Sequence, residues 1–214
     1  MTDLVVLGGT GYAGGHIAAE AARRGLSVRA VSRHVPEQPA AGVDYVTGDV
    51  LDDAFLGSVL EEAGTALLAL SPRGGMEGQV LTTAERLIPM AIAHGVRLGV
   101  IGGAGGLKVS ADGPRLVDTD SFPEEIRPES EEMAEIFARL QSAPEDLDWF
   151  FVNPAAGFGA HQPGQRTGTF RLGGDVLLTD EDGNSDISGA DFAMAVVDEI
   201  QRADHRRGQF SVAY

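Results

Sequence analysis

Residues 4–14 read Leu4-Val5-Val6-Leu7-Gly8-Gly9-Thr10-Gly11-Tyr12-Ala13-Gly14. The four apolar residues predict a strand buried on both faces of a parallel sheet. The glycines at positions 9, 11 and 14 satisfy the pattern G-x-G-x-x-G, and a helix is predicted over residues 16–24 with Gly25 at its end. Glycines in this context let a pyrophosphate reach the backbone N–H groups at the helix N-terminus. The alternative is a tight turn that binds no ligand.

The end of the second predicted strand, over residues 26–31, bears on cofactor choice. An acidic residue about 20 residues beyond the glycines would bind the ribose hydroxyl of NAD. This chain has Ser32-Arg33-His34 there instead. A guanidinium at Arg33 can pair with the 2′-phosphate of NADP, and the hydroxyl of Ser32 can add a hydrogen bond. The sequence therefore favours NADP(H) over NAD(H), although a solvated loop arginine is the alternative.

Loops that follow the later predicted strands should border the same ligand, because ligands bind beyond the carboxyl ends of parallel strands. Asp49 follows a strand over residues 43–46 and is interpreted either as a helix N-cap or as an acceptor for an adenine amino group. Arg73 follows a strand over residues 66–70. The glycine-rich run from Gly102 to Leu107 follows a strand over residues 98–101, where it could face a flat nicotinamide ring or form a bulged turn.

Strands alternating with helices predict an α/β fold of the doubly wound Rossmann type, with a mainly parallel sheet and helices on both faces. We expect a single domain over residues 1–214. Short strands are predicted over residues 167–171 and 176–178, and a last strand over residues 209–214. In the helix predicted over residues 123–141, the apolar face is interpreted as core; it comprises Met133, Ile136, Phe137 and Leu140.

Composition narrows the class of protein. The chain has 214 residues with 16 basic and 32 acidic side chains, a net charge of −16, and no basic cluster, so nucleic-acid binding is not expected. No apolar run reaches the length of a membrane span, and no signal peptide is recognised, so we expect a cytoplasmic protein, either a monomer or a homodimer. Cysteine is absent, which excludes disulfides and thiolate metal sites, and no metal site is predicted.

These motifs, together with Gly48-Asp49-Val50, Asp148-Trp149 and Asn153-Pro154, resemble the atypical short-chain dehydrogenase/reductase proteins that bind NAD(P)H. The resemblance is strongest to the NADH-flavin-reductase-like branch, which is related to biliverdin reductase B and to nitrogen-repression regulators. It implies an NADP(H) cofactor laid across the first glycine turn, with adenine and nicotinamide pockets at the later strand ends. The residues implied to contact the cofactor are Gly8, Thr10, Gly11, Tyr12, Ala13, Gly14, Ser32, Arg33, Asp49, Val50, Leu70, Ser71, Gly102, Gly103 and Pro154.

Catalytic side chains of related enzymes are missing. None of the three tyrosines, Tyr12, Tyr45 and Tyr214, begins the Tyr-x-x-x-Lys pair of ordinary short-chain dehydrogenases. The hydroxyl and histidine of biliverdin reductase B-like members are also absent from the corresponding loops. Flavins and quinones can accept hydride with a proton from water, so we predict an NADPH-dependent reductase of such a small acceptor. The alternative is a non-catalytic NADP(H) sensor; an epimerase is disfavoured. Whether Arg73, Lys108 or His161 contacts substrate is left open.

Overall fold

The computed structural model describes residues 2–61 and 63–214. Its strands are β1 (Thr2–Leu7), β2 (Val28–Ser32), β3 (Val43–Thr47), β4 (Ala63–Leu68), β5 (Arg97–Ile101), β6 (Trp149–Pro154), β7 (Arg171–Gly173) and β8 (Gly208–Ala213). Its α-helices are α1 (Tyr12–Arg23), α2 (Asp53–Leu60), α3 (Gln79–His94), α4 (Arg127–Gln141) and α5 (Gly189–Arg202). Short 3₁₀ turns occupy Ala104–Gly106, Leu116–Asp118 and Glu124–Ile126.

Within the described residues, the strands form one sheet in the order β3-β2-β1-β4-β5-β6-β8-β7. All neighbouring pairs are parallel except β7 and β8. The chain moves outward from β1 to β3 and then returns to β4 on the other side of β1. This reversal splays the loops after β1 and β4 apart and creates the crevice where doubly wound folds bind ligands. The predicted Rossmann-type fold is confirmed.

Alternation along β1 divides the core between the two faces of the sheet. Val5 and Leu7 pack with buried residues of α2, α3 and α4, whereas Leu4 and Val6 pack with those of α1 and α5. All four side chains are fully buried. A strand covered by helices on both faces needs apolar residues at every position, which explains the unbroken Leu-Val-Val-Leu run.

Two strand predictions near the end of the chain are corrected. The strand expected over residues 167–171 begins only at Arg171, and Arg171–Gly173 pairs antiparallel with β8 at the edge of the sheet. The strand expected over residues 176–178 is reduced to a single bridge between Val176 and Lys108. The segment before β7 cannot join the sheet because the N–H groups of Thr167 and Gly168 bind the carboxylate of Asp191 at 2.7 and 2.9 Å. No described helix is both long enough and apolar enough to cross a membrane.

Candidate active site

A cavity of about 760 Å³ opens at the carboxyl edge of the sheet. It is lined by the loops after β1, β2, β3, β4, β5 and β6 and by one face of α4. The cavity brings together all but one of the residues implied to contact the cofactor. Those that line it are Gly8, Thr10, Gly11, Tyr12, Ala13, Ser32, Arg33, Asp49, Val50, Leu70, Ser71, Gly102, Gly103 and Pro154.

Gly14 is the exception, and its role is packing. A Cβ atom at Gly14 would lie 2.3 Å from the carbonyl oxygen of Gly8, so only glycine lets α1 approach the turn this closely. Gly8 has a φ of +91°, and a Cβ there would lie 2.5 Å from the carbonyl oxygen of Ala69. Gly11 is different, since it is exposed and a Cβ there would lie 3.3 Å from the carbonyl oxygen of Gly8, its nearest neighbour. Gly11 is therefore the glycine of the turn that keeps a path open to the helix N-terminus.

The N-terminus of α1 offers unpaired donors to the cavity. In the part of the chain that the structure describes, no acceptor binds the backbone N–H of Tyr12, Ala13 or Gly14. The first turn of this helix also carries no acidic residue. Unpaired amides and the helix dipole favour an anion here, so the arrangement suits a pyrophosphate.

The loop after β2 presents a free cation. Arg33 is exposed and lines the cavity, and it forms no ion pair among residues 2–61 and 63–214. The Ser32 hydroxyl donates a 2.6 Å hydrogen bond to the carbonyl of His34, which fixes the turn that carries Arg33. That hydroxyl is therefore already engaged, whereas the guanidinium is available to a phosphate.

Asp49 does not cap α2, so that interpretation is wrong. The N-cap is Asp52, whose carboxylate accepts hydrogen bonds from Ala54 N and Phe55 N at 2.8 and 3.1 Å. Asp49 instead accepts a 2.9 Å bond from Leu51 N in the preceding turn. Its exposed carboxylate lines the cavity and retains acceptor capacity for an amino group.

The glycine-rich loop after β5 combines packing with access. A Cβ at Gly102 would lie 2.1 Å from the ring of Phe151, so this glycine is required by the core. Gly103 faces open space, since a Cβ there would have no atom within 4 Å, and it lines the cavity. At Gly105 a Cβ would lie 2.6 Å from the hydroxyl of Ser130. The loop thus presents bare backbone to the cavity and admits Ser130 of α4 at close range.

One stripe of α4 and the turn before it lines the cavity, which the sequence interpretation missed. Ile126, Ser130 and Met133 face it, with the spacing of four and three residues that marks one side of a helix. Met133, interpreted as core, is indeed buried, but it also reaches the cavity. The signal available in the sequence is the hydroxyl of Ser130 in line with two apolar residues.

The Ser130 hydroxyl has no hydrogen-bond partner among the described residues, and it lines the cavity. The other serine and threonine side chains inside the described helices all donate to a backbone carbonyl three or four residues earlier; these are Ser58, Thr82 and Thr83. Ser130 therefore keeps its donor and acceptor free for a bound molecule.

A charged cluster joins α4 to the loop after β4. The carboxylate of Glu129 forms an ion pair with Arg73 and accepts a 2.9 Å hydrogen bond from the Ser71 hydroxyl. All three residues line the cavity. Arg73 thus reaches the site, as the sequence allows, but its charge is already balanced by Glu129.

The segment after β6 forms the opposite side of the cavity and is held at several points. Asp191 is fully buried and accepts bonds from Thr167, Gly168 and the Tyr214 hydroxyl, the last at 2.6 Å. Burial acts to raise the pKa of Asp191, but these hydrogen bonds outweigh it and the pKa is lowered. Arg166 pairs with Glu20 of α1 at 2.9 Å.

Of the two remaining candidates for substrate contact, His161 lines the cavity and Lys108 does not. His161 is exposed and lines the cavity in the segment after β6. Lys108 does not line it; its ammonium pairs with Asp175 at 2.8 Å, and the hydrogen bond to Asp175 raises its pKa. Trp149, part of the motif that suggests the family, is buried against Phe137 with ring centroids 6.0 Å apart and also lies outside the cavity.

The strand order and the glycine turn at the carboxyl end of β1 define a Rossmann-fold protein. Residues 8–203 match the NAD(P)H-binding family, and the chain belongs to that family. The resemblance identified from the sequence is therefore confirmed.

Similar proteins cover the whole chain. The uncharacterized protein YwnB of Bacillus subtilis is 32% identical over 209 residues, which span 97% of this chain and 96% of that protein. A putative exported protein of Burkholderia pseudomallei is 37% identical with a TM-score of 0.86 and full coverage of both chains. A putative NADH-flavin reductase of Streptococcus pneumoniae is 29% identical with a TM-score of 0.86, covering 100% of this chain and 99% of its own.

A putative epimerase of Bacteroides thetaiotaomicron is 30% identical with a TM-score of 0.88, covering 100% of this chain and 97% of its own. The names of these similar proteins do not agree on one reaction. Cytoplasmic location and a monomeric or dimeric state stay predictions.

Proposed function

We propose that this protein is an NADPH-dependent reductase that transfers hydride to a flavin, a quinone or a similar small acceptor. One observation carries the proposal: a single cavity has phosphate-binding groups at one end and an apolar surface at the other. The phosphate end has the free amides of α1 and the unpaired Arg33. The apolar end is formed mainly by Phe122, Ile126 and Met133.

In this proposal the residues present fit a dinucleotide along the strand ends. The pyrophosphate binds at Gly11 and the N-terminus of α1, and the 2′-phosphate pairs with Arg33. The adenine lies by Asp49 and Val50, and the middle of the cofactor by Leu70 and Ser71. Gly102, Gly103 and Pro154 border the nicotinamide. When bound, the cofactor supplies the hydride.

The chain's own residues bind and orient the acceptor. The cavity contains no Tyr-x-x-x-Lys pair, since none exists in the sequence. The free hydroxyl of Ser130 donates a hydrogen bond to a ring carbonyl of the acceptor and so positions it above the glycine-rich loop. When the reduced acceptor takes its proton from water, most of the rate enhancement comes from holding the two reactants in a reactive geometry.

The test follows NADPH oxidation by absorbance against a panel of flavins, quinones and simple carbonyl compounds. We expect turnover with flavins or quinones and little with aldehydes or ketones, whose oxygen needs a protein acid. The matched control is Gly11→Val, which should abolish turnover because its side chain blocks the helix N-terminus. Tight NADPH binding without oxidation by any acceptor would contradict the proposal and favour the alternative, a non-catalytic NADP(H) sensor.

A further inference from the structure

We infer that the acceptor end of the cavity selects an uncharged flat ring, such as a quinone or riboflavin, over phosphorylated flavins such as FMN. This inference rests on the proposed function and deepens it by naming the class of acceptor. It follows from the way charge is distributed along the cavity.

The acceptor end is apolar and offers one free hydroxyl. Its apolar surface comprises Met76, Leu116, Phe122, Ile126 and Met133, and its free donor is Ser130. Apolar side chains and a free hydroxyl match an aromatic ring that carries a carbonyl group. They provide no positive charge for a phosphate.

Every arginine beside this end is already paired with a carboxylate. Arg73 pairs with Glu129 inside the cavity. Next to the lining residue Leu116, Arg115 pairs with Asp118 at 2.7 Å.

The third arginine, Arg127, follows the lining residue Ile126. It pairs with Glu124 at 2.8 Å and lies over the ring of Phe122, with 5.6 Å to the ring centroid. Binding a phosphate would require one of these pairs to break, which costs part of the energy that the new contact provides.

A further carboxylate, that of Glu131, acts on two of these arginines. The hydrogen bond to Asp118 raises the pKa of Arg115, and the nearby charge of Glu131 raises it further. Glu131 acts in the same way on Arg127, after the stronger effect of Glu124. Each of the three arginines is thus balanced by a carboxylate, and none presents an uncompensated positive charge to a phosphate dianion.

The cofactor end has the opposite character. There Arg33 is unpaired and the first amides of α1 have no acceptor among the described residues. Phosphates are therefore accommodated at one end of the cavity only. A second ligand that carries a phosphate would find no unpaired arginine at the acceptor end.

Riboflavin and FMN test this directly because they share one ring system and differ in a phosphate. Their binding is measured by quenching of flavin fluorescence, with saturating NADP⁺ to block the cofactor end. We expect riboflavin to bind about tenfold more tightly than FMN at low salt, and the ratio to shrink as salt is added.

Glu129→Gln gives the matched test, because it releases Arg73 into the cavity while keeping side-chain size. The affinity ratio should then move toward FMN by about tenfold. Glu135→Gln is the control on the same helix; Glu135 pairs with Arg139 at 2.8 Å, and neither residue lines the cavity. It should leave the ratio unchanged.

Equal binding of the two flavins, tighter binding of FMN, or no binding of either would overturn the inference. The reductase proposal is judged separately by NADPH oxidation. A protein that prefers riboflavin to FMN yet oxidises no NADPH would keep the selective ring site and lose the proposed reductase activity.

Discussion

Replacing Arg33 by alanine should remove most of the preference for NADPH over NADH that we propose for this protein. Arg33 is exposed and forms no ion pair in residues 2–61 and 63–214, so its loss breaks no contact that stabilises the fold. We therefore expect Arg33→Ala to unfold at nearly the wild-type temperature. Any change in affinity can then be assigned to the missing guanidinium.

The magnitude follows from one charge-assisted contact. A hydrogen bond to a charged group contributes about 1.5–3 kcal/mol, and about 1.4 kcal/mol corresponds to a factor of ten in affinity. Because Arg33 has no ion pair to break before binding, most of that energy should appear as affinity. Arg33→Ala should thus weaken NADPH binding by about tenfold or more. NADH lacks the phosphate, so its affinity should change by less than about twofold.

Isothermal titration of both dinucleotides into wild type and variant measures the preference. Arg29→Ala is the matched control, since Arg29 lies on β2, the strand that precedes Arg33, pairs with Asp44 at 3.3 Å and does not line the cavity. Its preference for NADPH should equal that of the wild type. Equal wild-type affinities for the two dinucleotides, or an unchanged preference in Arg33→Ala, would refute the reasoning.

Three further predictions concern the turn, the chemistry and acid stability. Gly11→Val should lose dinucleotide binding in titrations yet keep the wild-type circular dichroism spectrum. Normal NADPH affinity in this variant would show that the glycine turn has only a structural role. His161→Ala and Lys108→Ala should each change kcat/KM by less than about tenfold, well below the factor of about 10²–10⁴ that a general acid provides. A hundredfold loss in either variant would show that the replaced side chain acts as a general acid. Burial acts to raise the pKa of Glu20, but hydrogen bonds from arginines, Arg166 among them, hold it at about 2, below its ordinary 4.5. Because the pKa of Glu20 is lower in the folded state, its carboxylate stabilises the protein above about pH 4.5, and this contribution is lost as the pH falls toward 2. Urea unfolding should therefore show Glu20→Gln to be less stable than the wild type by about 3 kcal/mol at neutral pH, with a smaller difference in acid. A difference that stays constant with pH would contradict this prediction.

The fold, the glycine turn and the place of Arg33 beside the cavity could be predicted from the sequence because their signals are local. A buried parallel strand requires consecutive apolar residues, and a close approach of helix to turn requires glycine at Gly14. Both requirements are met within the first fourteen residues. The position of Arg33 beyond β2 is also a local signal, since it depends only on where a strand ends.

The α4 side of the cavity could not be predicted because its residues lie far along the chain from the glycine turn. Ile126, Ser130 and Met133 have the spacing of a core-facing stripe, and the sequence does not reveal that the stripe extends past the sheet into a cavity. The sequence also leaves open which of two aspartates caps α2. Asp49 and Asp52 are both suitable N-cap residues, and the start of the helix alone decides that Asp52 serves.

The unequal attachment of the cavity's two sides has a consequence for exchange of ligands. Buried Asp191 and the Arg166–Glu20 pair fix the segment after β6, so that side should stay in place while ligands enter and leave. The loop of residues 71–78 opposite has three glycines with positive φ and open space around the point where a Cβ would lie. Its contacts with α4 are the Arg73–Glu129 pair and two hydrogen bonds, from the Ser71 hydroxyl to Glu129 at 2.9 Å and from Gly78 N to Glu132 at 2.7 Å. We expect ligands to enter and leave past this loop, and these contacts to limit how fast it moves.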